Sequence, residues 1–190
     1  MRQYESTRRP IFVMAHGIHA RNASPGGFEL SLANQQSAHI VNGKRLMDAA
    51  RRVLADSKFK SASISLAVVD DPTIQQLNQQ FLSHDWPTDV LSFVLDANDS
   101  HLHGEVVLSA DTAAAAAAEE GWPAGDEQLL YVIHGMLHLV GLDDQSADAT
   151  RNMRAAERFY LGECGVVLPE GFPRMNLANE QPGGGGTEAW

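Results

Sequence analysis

Between Leu129 and Val140 the chain is apolar almost all round, interrupted by two histidines, and this run constrains everything else. Leu129, Leu130, Val132, Ile133, Met136, Leu137 and Val140 would cover every face of a helix, so that helix must lie in the core with the rest of the chain wrapped around it. His134 and His138 are four apart and therefore stack on one face, about one turn from each other. Gly141 follows three residues later and terminates the helix, because glycine takes positive φ at no steric cost. The chain can then double back and carry Asp144 towards the two imidazoles. Two nitrogens and one oxygen converging in this way match a catalytic zinc site with three protein ligands and a fourth position open to water. An isolated histidine pair in an apolar helix is more often two buried, hydrogen-bonded rings than a metal site. Gly141 and Asp144 at a hydrolase spacing bring the two readings level.

The spacing H-x3-H-x2-G-x2-D parallels the metzincin form H-E-x-x-H-x-x-G-x-x-H. Two positions differ. Gly135 stands where the metalloprotease has its catalytic glutamate, so this helix lacks that general base. Asp144 stands where the last histidine ligand would be.

The run from His134 to Asp144, H-G-M-L-H-L-V-G-L-D-D, resembles the H-G-x-L-H-L-x-G-x-D-H signature of the YbeY family of metal-dependent endoribonucleases, which act in ribosomal RNA maturation. Upstream, Asp85-Trp86-Pro87-Thr88-Asp89-Val90-Leu91-Ser92-Phe93 is similar to that family's D-x-P-T-D-V-L-S-F run, and Gly104-Glu105-Val106-Val107-Leu108-Ser109 to its G-D-I-V-I-S strand. The likeness covers roughly residues 28–165. It implies a small mixed β-sheet packed against helices, with His134, His138 and Asp144 holding one Zn2+ on a central helix. It also implies a single-stranded RNA substrate, with ribosomal RNA or a ribosomal subunit as partner and no DNA. Asp85, Asp89 and Glu105 lie in segments that the family places near its cleft. All three are candidate proton acceptors on that ground alone, each could equally be a cap or turn carboxylate, and Asp89 reads first as structural. Family members commonly carry arginine three residues before the loop aspartate, where this chain has Leu82, and that loses a bidentate phosphate donor.

A length of 190 residues suits one domain with tails. Residues 1–27 read as a flexible leader closing in Ser24-Pro25-Gly26-Gly27. Residues 28–165 read as the hydrolase domain, and residues 166–190, with four consecutive glycines at 183–186, as a disordered tail. No apolar run approaches the roughly 18 residues of a membrane span, and Ile11 to Ala15 is too short for a signal-peptide core, so the expected location is the cytoplasm. The single Cys164 excludes an internal disulfide and any cysteine-rich zinc cluster.

The net charge of −10 is unevenly spread. Residues 1–60 hold ten Lys and Arg against four acids, whereas residues 61–150, which include the candidate site, hold fifteen acids and no Lys or Arg. Phosphate binding normally leans on basic side chains, so this distribution argues against an RNA substrate. Lys44, Arg45, Arg51 and Arg52 on one helix, and Arg151, Arg154 and Arg158 on another, read first as solvated faces, with a groove lining as the alternative.

Periodicity predicts mixed α/β architecture. Strands are expected at Phe28–Leu32, at 62–68, at Asp89–Leu95 and at Glu105–Leu108. Helices are expected from Leu46 through about Ser57, from an Asp71 cap onwards, over the alanines 113–118, from an Asp126 cap to Gly141, and from a Ser146 cap to near Gly165. His84 to Thr88 and Asp96 to His103 read as connections, with His101 and His103 as loop histidines, and His16 and His19 as solvated residues of the leader. Three activities remain open at this level. They are the endoribonuclease, a metal-stabilised ribosome-assembly factor that does not cut, and a zinc peptidase, which Gly135 disfavours.

Overall fold

The structure, a computed structural model, describes residues 27–168 together with the backbone of 20–23. Its sheet has five strands in the order β1 (Ala20–Ala23), β2 (Phe28–Asn34), β3 (Ser61–Val69), β5 (His101–Ser109), β4 (Val90–Ala97). The two edge pairs, β1 with β2 and β4 with β5, are antiparallel, and the two central pairs are parallel. The intervening helices are α1 (Gly43–Ala55), α2 (Asp71–Leu82), α3 (Ala110–Glu120), α4 (Ala124–Leu139) and α5 (Ala147–Glu163). The first strand comes from the segment expected to be leader. The rest of that leader, with His16 and His19, and the tail beyond Leu168 lie outside the described residues.

Strand alternation divides the core in two. Ile64, Leu66 and Val68 of β3 and Leu102, Val106 and Leu108 of β5 face the larger cluster, which contains α1, α4 and α5. Ala67, Val69, Val107 and Leu91 point to the other face and meet Ile74 and Leu77 of α2. The histidine helix is therefore sandwiched between the sheet and the outer helices α1, α3 and α5, as its all-round hydrophobicity requires. Gly135 lies where α4 crosses the sheet. A Cβ built there would stand 2.8 Å from Val106 Cγ1 and 3.2 Å from Val90 Cγ2. A glutamate at this position would thus run into packed strand side chains.

Several local signals resolve differently from their sequence reading. The cap of α2 is Asp70, whose carboxylate accepts from Thr73 N at 3.0 Å. Asp71, one residue on, accepts instead from the hydroxyls of Ser109 and Thr112 and ties α2 to the start of α3. Helix α4 starts at Pro123 with no side-chain cap, and Asp126 pairs with Arg45 of α1 at 2.6 Å. Proline before the first turn already fixes its φ, and an aspartate in that turn still favours the helix dipole. The last expected connection is shorter than its composition suggests. β4 runs to Ala97 through an irregularity between Val94 and Asp96, and β5 begins at His101, so His101 and His103 are strand residues. The α5 cap at Ser146 is as expected, accepting from Ala149 N at 3.1 Å.

Candidate metal centre and cleft

The end of α4 builds the site. Gly141, at φ 104°, lets Leu142 N–H donate to Leu137 O and Gly141 N–H donate to His138 O, both at 3.0 Å. This is the paired closure in which a left-handed glycine satisfies the last helical carbonyls. The same turn brings Leu142 O to 3.0 Å from His138 Nδ1, so the element that ends the helix also orients the second ring. The chain then returns past the histidines, and Thr150 of α5 donates its hydroxyl to Asp144 O at 2.7 Å.

His134 Nε2 and His138 Nε2 are 2.9 Å apart, with their rings at 84°. The Asp144 carboxylate lies 3.9 Å from each of these nitrogens. One donor atom from each of the three residues falls within 4.8 Å of the others, the geometry of a possible metal site. Their surroundings suit a cation. His134 Nδ1 is 2.7 Å from Glu157 Oε1, in a side chain with no solvent exposure, and His138 Nδ1 meets a carbonyl. Both rings thus keep their proton on Nδ1, and both Nε2 lone pairs point at the same space, where they repel unless a positive charge lies between them. Asp144 Oδ2 is buried among these atoms with no hydrogen-bond partner of its own. Burial, and then the neighbouring His134, push the His138 pKa down, which keeps the ring neutral and able to ligate. The donor set of two nitrogens and one carboxylate oxygen is one that zinc accepts.

The three residues line a cleft of about 560 Å³ whose other walls come from α2, the α2–β4 loop, β4 and the end of α4. Among the described residues lining it there is no Lys or Arg. Leu82, at the position where the resembling family has arginine, lines the cleft and is 51% exposed. The basic runs are elsewhere. On α1, Lys44 pairs with Asp48, Arg45 with Asp126, and Arg52 with Asp56 and Glu163. On α5, Arg151 pairs with Asp148 and Arg154 with Glu157.

The upstream carboxylates separate. Asp89 lines the cleft but is 8% exposed, and its Oδ1 accepts from Thr88 Oγ1 and Val90 N, a structural use. Asp85 is exposed, hydrogen-bonded by Gln75, and not part of the cleft lining. Glu105 pairs with Phe93 and Ser65 in the sheet and points away from α4, on the side shared with Val107. Asp85 thus stands outside the cleft lining, and Glu105 on the face of the sheet opposite the histidine helix. Similarity of a strand motif gives proximity along the chain, but the strand's period of two decides which face a side chain takes.

Burial lifts the Glu105 carboxyl from its ordinary 4.5 to about 7. A folded carboxyl that holds its proton to higher pH contributes stability fully below pH 4.5, loses it as pH rises towards 7, and loses no more above that. The span is up to roughly 3 kcal/mol. Glu105→Gln is accordingly expected to raise the melting temperature at pH 8, to change it little at pH 4.5, and to leave any catalytic activity intact. Thermal melts across this range, with a parallel activity assay, check both halves.

Sequence reasoning misses Glu157, although a signal for it exists. The residue sits four positions from both Met153 and Leu161, on the buried stripe of α5, where an acid is out of place without a partner.

A mixed sheet backed by a buried helix thus carries two helix-borne imidazoles and a returning aspartate that could hold a metal ion. Residues 31–165 match the family model for Endoribonuclease YbeY. The chain belongs to the YbeY family. It is 39% identical to Endoribonuclease YbeY of Rhodopirellula baltica, over 65% of this chain and 69% of that one. It is 38% identical to the protein of the same name from Syntrophotalea carbinolica, over 67% of this chain and 90% of that one. A solution structure of a Thermotoga maritima protein superposes with a TM-score of 0.53 at 26% identity, covering 71% of this chain and 88% of the other.

Proposed function

We infer that the protein is a metal-dependent endoribonuclease that cuts single-stranded RNA during ribosomal RNA maturation, with one zinc ion held by His134, His138 and Asp144. The observation that carries this reading is the convergence, in the lining of a cleft, of two Nε2 atoms 2.9 Å apart with a buried, unpartnered Asp144 oxygen. When bound, zinc would supply Lewis acidity at a phosphoryl oxygen and lower the pKa of a nearby water. The chain's own residues do the rest. Glu157 and Leu142 O hold both protons on Nδ1, so that both Nε2 atoms face the cleft. Asp144 brings the negative charge that retains a cation there. The wall formed by His84, Trp86 and Thr88 shapes the approach of a strand. Ribosomal RNA or a ribosomal subunit is the partner in this reading and the cytoplasm its place. Among the described residues no helix is long and apolar enough to cross a membrane.

One observation favours a second reading, a metal-stabilised ribosome-assembly factor that does not cut. Leu82 and the absence of Lys or Arg among the described lining residues leave phosphate without a charged fork. The peptidase reading has no comparable support, because Gly135 has no room for a glutamate. Purified protein incubated with labelled single-stranded ribosomal RNA, a duplex RNA and casein, with and without chelator, separates all three. Cleavage of the single strand alone, lost on chelation and restored by zinc, is expected. Intact RNA beside a zinc-loaded protein would leave the assembly factor, and cut casein the peptidase.

A further inference from the structure

The cleft has a wall that the candidate metal ligands do not account for. Between α2 and β4, the rings of His84 and Trp86 are stacked, with centroids 4.6 Å apart and planes 13° from parallel. Both line the same cavity as His134, His138 and Asp144. Both are only partly buried, and Trp86 packs into neither of the two apolar clusters. An indole held at the wall of a polar cleft keeps apolar area in water until something flat covers it.

The loop carrying the rings is held from beneath. Ser83 ends α2 in the left-handed region at φ 63°, and the buried Asn78 side chain donates to Trp86 O at 2.8 Å. Gln75 donates to the Asp85 carbonyl at 3.2 Å and to its carboxylate at 3.0 Å. The aromatic surface is thus set before a ligand arrives, which lowers the ordering cost of binding. The charge of the cleft points the same way. With Asp89 and Asp144 in the lining, no Lys or Arg among its described residues, and Leu82 where a guanidinium would help, phosphate attraction is weak in this cleft. A base can therefore supply affinity that the described lining does not offer to phosphate. Stacking serves any base, but only one that is not already paired and stacked in a duplex.

We propose that His84 and Trp86 form a base-stacking platform that seats one unpaired nucleobase beside the candidate metal centre and so selects single-stranded RNA. The proposal rests on the ribonuclease reading above, and the test keeps the two apart. A short single-stranded oligoribonucleotide is titrated into the zinc-loaded, full-length protein at fixed salt, followed by a set of the same strand with one abasic position at a time. Wild type, Trp86→Ala, Trp86→Phe and His84→Ala are compared, with zinc content and circular dichroism as controls of the centre and the fold. Trp86→Ala is expected to weaken binding about 5- to 100-fold and Trp86→Phe to stay within about threefold of wild type, the range base–aromatic stacking provides. The loss in cleavage should appear in KM more than in kcat. One abasic position should weaken wild type by a similar factor and leave Trp86→Ala nearly unaffected.

Binding by Trp86→Ala within twofold of wild type would overturn the platform while the ribonuclease reading stands. So would equal abasic losses in the two proteins. If Trp86→Ala does not fold, an abasic scan on wild type in which no position matters overturns the platform in its place. Wild-type protein that neither binds nor cuts RNA would overturn both.

Discussion

Asp144→Ala is expected to lose bound zinc and any RNA cleavage together, while its metal-free form is at least as stable as metal-free wild type. The two halves have one cause. Without a cation, wild type keeps a buried Asp144 oxygen that no hydrogen bond satisfies, 3.9 Å from His134 Nε2. Such a group costs about 1–3 kcal/mol, which the alanine variant is spared. With a cation, that oxygen becomes a ligand, and binding stabilises the folded chain by about 2.7 kcal/mol once metal exceeds its dissociation constant a hundredfold. Melting curves of wild type and variant should therefore cross: wild type higher with zinc, the variant equal or higher with chelator. Asp144→His restores the residue type of the resembling motif. A neutral ligand leaves more of the ion's charge uncompensated, so the variant should retain zinc and show its alkaline rise in activity at lower pH. Asp144→Ala that holds zinc as tightly as wild type would show that Asp144 is no ligand. Asp143 is then next to test, although it is exposed and accepts from Gln145 N.

Glu157→Ala carries the largest expected stability loss. Glu157 has no solvent exposure, accepts from His134 Nδ1 at 2.7 Å, and is gripped by Arg154 at 3.0 and 3.3 Å. Removing one partner of a buried ionic group typically costs about 3–5 kcal/mol, since the other charge stays behind in a low-dielectric site. The outer-shell partner of a metal-binding histidine also fixes its tautomer and raises its basicity, and its loss lowers metal affinity about 10–100-fold. Glu157→Gln should fall between the two. Its amide oxygen can still accept from His134, but the amide nitrogen then faces Arg154 as donor to donor. Denaturant unfolding measures the first effect and chelator competition the second. A zinc dissociation constant in Glu157→Ala equal to that of wild type would mean that Glu157 does not hold His134 in its ligating orientation.

The local features of the centre are legible because each is written in consecutive residues. Four-residue spacing puts His134 and His138 on one face, all-round hydrophobicity announces a buried helix, and Gly141 marks where it must end. The acidic middle of the chain foretells a cleft poor in cations. The limits of local reading appear at Asp71 and Asp126. Both sit at helix starts and look like caps, yet Asp70 and Pro123 take those places and the two aspartates bond to other elements. A capping preference of about 1 kcal/mol is readily outweighed by a partner that arrives from elsewhere in the fold.

By itself, then, the sequence determined the histidine helix, its glycine stop, the returning aspartate and the mixed α/β class, because these depend on spacing and on residues close in the chain. Only the tertiary structure decided which carboxylates lie beside the histidines. Glu105 is turned to the far face of the sheet by strand alternation, whereas Glu157, 23 residues beyond His134, is laid against it by the return of α5. The tertiary structure also set His84 against Trp86 on the cleft wall, and packed Val106 and Val90 where a glutamate at Gly135 would need to stand. These outcomes depend on distances between segments far apart in the chain. Such distances are fixed by the packing of the whole core, and no local pattern encodes them.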